Sequence, residues 1–127
     1  MYTSKVGVDM EKLMSLLFFC RDLAHKEHLW TRSYSQHMAL NEFYDEIVEL
    51  ADGLAEAYQG KHGLLGEIPT MTNSPKGDIV EVMRNQVKWI EMNRYKVCKE
   101  NDAALQALVD PIITLFYSTI YKLENLG

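Results

Sequence analysis

The chain has 127 residues, 47% apolar and 24% charged, enough for one domain with a single core and too few for two comfortable ones. Those fractions exclude a disordered tail and a collagen-like chain. A formal charge of −5 and a pI near 5.3 argue against a surface built to neutralise phosphates, so nucleic acid is not an expected partner.

The N-terminal MYTSKVGVDMEK carries charges within its first dozen residues, and no apolar run approaches the length needed to cross a bilayer. A cytoplasmic protein, neither secreted nor membrane-bound, is expected. Helix one is predicted over residues 8–31. Leu13, Leu16, Leu17, Cys20, Leu23, Ala24 and Trp30 recur there at three- and four-residue steps and share one face. Met14, Phe18, His25 and Leu29 form a second stripe on the far side. A helix that is apolar on two sides expects to be covered on both. In so small a chain the second cover is a second copy, so a homodimer through helices one and two is expected.

Ser33 to Ser35 read as capping and turn residues, and helix two is predicted over residues 36–59, stopped by Gly60. Its seam is Leu40, Phe43, Ile47, Leu50 and Leu54. On the opposite face gather Glu42, Asp45, Glu49, Asp52 and Glu56, an arrangement that ordinary amphipathic logic assigns to solvent. His37, Asn41, Tyr44, Val48, Asp52 and Ala55 line a mixed flank between the two. The stretch KHGLLGEIPTMTNSPKG breaks every period with glycine and proline and is the one long connection. It also places His62 in a glycine-flanked loop.

Helix three is predicted to start near Asp78, to use Val80, Met83, Val87, Ile90 and Val97 as its seam, and to end near Lys99 or Glu100. Leu105, Leu108, Val109, Ile112, Phe116, Ile120 and Leu123 keep one phase through residues 102–126. Pro111 interrupts the hydrogen bonding there, so the segment is either one kinked helix or a new helix capped by Asp110. Cys20 and Cys98 have no paired spacing and read as buried thiols in a reducing compartment.

Four amphipathic helices in one small chain predict an all-α four-helix bundle. The short turns between helices one and two and between three and four make each pair an antiparallel hairpin. The long connection between helices two and three can travel the length of a helix, as a ferritin-like crossover does. A simple up-down-up-down bundle would not need so much chain. A di-iron site inside such a bundle requires Glu-x-x-His pairs, and the sequence has none. It also lacks a GxGxxG, a P-loop, a nucleophile elbow and an HExxH.

The run HLWTRSYSQHMALNEFYDEIVELADGLAE with its preceding His25, together with IYKL at residues 120–123, resembles the small ferritin-like proteins of unknown function encoded by tailed phages. Residues 25–56 are more distantly similar to the first two helices of the starvation-induced DNA-protection ferritins (Dps). That resemblance implies iron, or another divalent metal, held between two subunits. His25, His37, Asn41, Asp52 and Glu56 stand at the ligand positions, with Asn41 replacing a carboxylate. In the family pattern a tryptophan directly follows the first histidine, so aligning on Trp30 places Leu29 at that ligand position with His25 or His28 as its substitute, and the lysine-rich DNA-binding tail of some relatives is absent. For a phage-encoded chain the expected location is the host cytoplasm. Two expectations therefore stand side by side. One is a ferritin-like protein with a metal site of His25, His37, Asp52 and Glu56 at a subunit boundary and weak ferroxidase activity. The other is a helical interaction or structural module that has kept the bundle and lost the metal.

Overall fold

A computed structural model describes residues 8–126, and among these four helices and no strands are found. They are α1 (Val8–Trp30), α2 (Tyr34–His62), α3 (Ile79–Val97) and α4 (Ala103–Asn125). The starts of α2, α3 and α4 are set by side chains that accept from the otherwise unpaired first-turn amides. Ser33 accepts from Gln36 N, Asp78 from Glu81 N and Asp102 from Leu105 N.

Two expected boundaries move. Helix two begins at Tyr34, because Ser33 rather than a later residue is the cap. It also runs through Gly60 to His62, since a lone exposed glycine weakens a helix without breaking it. The chain leaves at Gly63, whose φ of 96° lies in a region that side chains rarely adopt. His62 is therefore the last residue of α2, exposed, with its ring 4.7 Å from that of Tyr58. The second positive-φ glycine, Gly77, precedes α3, where an added Cβ would also strike the Glu81 carboxylate.

α4 is continuous through Pro111, and the break at Asp110 does not occur. The proline ring sits on the exposed face, where water can satisfy the carbonyl that loses its donor. Asp110 instead pairs with Arg94 at 2.6 Å. By length and composition α4 could cross a membrane, contrary to the expectation that no run approaches that length. Its Leu105, Val109, Ile112, Phe116, Ile120 and Leu123 are buried against the other helices.

Each helix touches two neighbours: α1 packs on α2 and α3, and α4 packs on α2 and α3. Every neighbouring pair is antiparallel. Lys61 near the end of α2 reaches Asp102 at the start of α4, and Lys122 near the end of α4 reaches Glu42 early in α2. Arg84 early in α3 pairs with Glu124 late in α4, while Arg94 late in α3 meets Gln106 early in α4. α2 and α3 consequently run parallel on opposite corners, and residues 63–78 must return along the bundle to start α3. They do so over the α1–α3 side. Gly66 N donates to Glu11, and Ser15 Oγ donates to Pro69 O.

The core is one cluster with contributions from all four helices, centred on fully buried Leu13, Leu17, Leu40, Phe43, Ile47, Ile90, Ile112 and Phe116. Phe43 and Phe116 meet edge to face at 5.0 Å between α2 and α4. At one end Gln106 ties α3 to α4. Its amide nitrogen reaches the carbonyls of Arg94, Cys98 and Lys99, satisfying the orphan end of α3, and its oxygen accepts from Arg94 Nε at 2.7 Å.

Candidate functional site

The histidines of the first hairpin come together where α1 turns into α2. His28 Nδ1 lies 2.8 Å from His37 O, and His37 Nδ1 lies 2.8 Å from His28 O. A carbonyl only accepts, so each Nδ1 carries the proton and donates, and only Nε2 of each ring remains for other chemistry. The two rings stack at 3.6 Å. His25 stacks on Tyr44 at 4.3 Å, and Tyr44 turns its edge to His28. The Tyr44 hydroxyl donates to Asn41 Oδ1 at 2.7 Å, and the Arg21 guanidinium lies 5.6 Å from the ring. These contacts form a clasp between two antiparallel helices.

The four expected ligands do not converge within one chain. His25 and His37 are half-buried in the clasp, while Asp52 and Glu56 are exposed further down α2. His37 and Asp52 are separated by fifteen residues of α2, about 22 Å of helix. Among the described residues, no three or more His, Cys, Asp or Glu side chains gather as a group able to hold a metal ion. Asn41 uses its amide on Asp45, 3.4 Å away, within the polar outer flank.

His28, expected only as a substitute for the first-helix ligand, is the buried member of the set at 7% exposure. A signal was available, since His28 follows Ala24 by four and Leu17 by eleven and so continues the α1 seam. The second stripe of α1 needs correction as well. Met14 is wholly inside the core, because the neighbours of α1 reach further round it than its wheel suggested. Trp30, assigned to the seam, is 72% exposed at the very end of the helix, where the end of the crossover and the start of α3 cover it only in part.

An apolar end results. Leu29 is 68% and Tyr34 is 77% exposed beside Trp30, with Met38 one turn further along α2. Residues 28–41 hold Arg32 and no carboxylate. Residues 42–56 hold six carboxylates and no base. The outer face of α2 thus changes character along its length.

Both cysteines are free and buried. Burial pushes the Cys20 thiol well up, and burial with the nearby Asp102 charge pushes Cys98 up. Neither is a poised thiolate nucleophile.

Residues 28–123 match a family of unknown function, DUF5856. An uncharacterized 14.6 kDa protein from the mobD-ri intergenic region of Enterobacteria phage T4 is 28% identical over 116 residues, covering 90% of this chain and 87% of that protein. No solved structure matches the chain.

Proposed function

We propose that this chain, which belongs to the DUF5856 family of proteins of unknown function, is a helical interaction module that associates with a second copy of itself through the outer face of α2 and the apolar end beside it. The observation that carries this is the division of that face. Leu29, Trp30, Tyr34, Met38 and Arg32 occupy one end, and Glu42, Asp45, Glu46, Glu49, Asp52 and Glu56 occupy the rest, all of them exposed. A two-fold pairing of antiparallel α2 helices sets the apolar, basic end of each copy toward the acidic stretch of the other. The phage T4 relative is consistent with a phage-encoded module of this kind.

Sedimentation at micromolar concentrations tests the proposal. The expected result is a dimer that Leu29→Glu with Trp30→Glu converts to monomer, with helix content by circular dichroism unchanged. A monomeric unmodified protein would overturn it.

The same pairing supports a second reading, in which the bundle is ferritin-like and binds iron across the boundary. Antiparallel neighbours joined by a crossover between α2 and α3 are what that kinship expects. Antiparallel α2 helices would also bring His37 of one copy toward Asp52 and Glu56 of the other. The chelator EDTA separates the readings. A dimer held by apolar and charge contacts persists in EDTA, whereas one held by cations between carboxylates dissociates. In the metal reading, aerobic Fe(II) yields a ferric absorbance that Asp52→Ala with Glu56→Ala abolishes. An identical trace from the double variant would leave only background oxidation.

A further inference from the structure

Between α1, α3 and the crossover lies a cavity of about 530 Å³, far from the histidine clasp and independent of any dimer. Its volume is within the range of small-molecule sites. Leu16 and Phe19 of α1, Val82 and Trp89 of α3, and Pro69, Met71 and Pro75 of the crossover line it, and it remains open to solvent. Ser15 and Glu11 pin the start of that strap to α1.

Two features distinguish this cavity from a packing defect. The first is Gln86, which lines it at only 8% exposure. Its side-chain amide makes no hydrogen bond among the described residues, although every other buried glutamine or histidine side chain described above is engaged. Its amide nitrogen and oxygen keep contact with solvent, so a donor and an acceptor stand side by side with no protein partner. The second is charge. The chain carries a net −5, yet Lys12 and Lys76 line this cavity and no aspartate or glutamate does. Neither lysine joins an ion pair among the described residues, so both ammonium groups are available to a ligand.

We infer that the cavity binds a small flat anion of the nucleoside monophosphate type. The base lies against the half-buried rings of Phe19 and Trp89, its polar edge meets the Gln86 amide, and the phosphate is held at the mouth by Lys12 and Lys76. An amide matches a base edge because both present adjacent donor and acceptor atoms. An aromatic wall accepts any base by its face, and two ammonium groups suit a phosphate better than an apolar tail. An acyl carboxylate would satisfy the lysines and the rings but would leave Gln86 unmet.

Titration calorimetry on the full chain tests this with the four common ribonucleoside monophosphates, inorganic phosphate and octanoate as separate probes. At least one monophosphate is expected to bind at one per chain. Its affinity should fall about tenfold or more in Lys12→Ala with Lys76→Ala, and again in Gln86→Leu. Binding indifferent to both sets of substitutions, tighter binding of octanoate than of any monophosphate, or silence from all four monophosphates would each overturn the inference.

Discussion

His28 and His37 share two hydrogen bonds and a ring stack, so removing either ring affects both helices of the first hairpin. His28→Ala leaves the His37 carbonyl without its donor and opens space at a buried position. The expected loss is about 2–4 kcal/mol in urea unfolding. A loss below about 0.5 kcal/mol would mean that the clasp is not a stabilising contact. Asp102 offers a pH-dependent counterpart. The Lys61 ammonium, 2.6 Å away, holds its carboxyl below the ordinary aspartate value, with its own bond to Leu105 N adding to the effect. A carboxyl whose folded value is lowered adds stability above its unfolded value, and that stability disappears as pH falls through the folded one. Asp102→Asn keeps a good helix cap and removes the charge. The variant should therefore be less stable than the parent at neutral pH, and the gap should close as pH is lowered through and below the ordinary aspartate range. A gap that is constant with pH would assign the effect to the cap alone.

At the scale of elements, three glycines of α2 and its exit behave differently for a conformational reason. Gly53 and Gly60 are helical and exposed, and an added Cβ at either meets nothing within 4 Å. Alanine at each should stabilise by about 0.5–1 kcal/mol, mainly through the unfolded chain. Gly63 also has open space around it, but its positive φ strains any side chain. Gly63→Ala should therefore destabilise by about 1 kcal/mol or more. Thermal unfolding of the three single variants decides the matter, and a stabilised Gly63→Ala would mean that the exit from α2 is not held where it is. The same logic explains why Gly60 misled the boundary of helix two. Stopping a helix requires a change of backbone region, and glycine permits that change without compelling it.

For the whole molecule, one core cluster joins all four helices, which makes one cooperative unit the expected outcome. Urea transitions followed by far-ultraviolet circular dichroism and by tryptophan fluorescence should coincide, and separated midpoints would argue for independent halves. The distribution of charge gives a second expectation. With net −5 and exposed carboxylates along α2, the protein should not retard duplex DNA at physiological salt. A retarded band that is lost as salt rises would reveal a basic surface assembled in three dimensions.

The sequence by itself determined the elements and most of their inward faces. Leu40, Phe43, Ile47 and Leu54, like Met83, Val87 and Ile90, recur at the helical period and are all buried. It also determined the long connection, because glycine and proline in residues 63–77 allow no helix to run through them unbroken. Only the tertiary structure decided the rest. A wheel assigns each residue an angle but does not say how far round a neighbour reaches, so Met14 went to the outside and the burial of His28 was missed. Nor does a period along one helix say where that helix ends relative to the others, which is why Trp30 lies in solvent. The cavity beneath the crossover depends on side chains from α1, α3 and a loop that are distant in sequence. Nothing short of their assembly brings Lys12, Gln86 and Lys76 around one space.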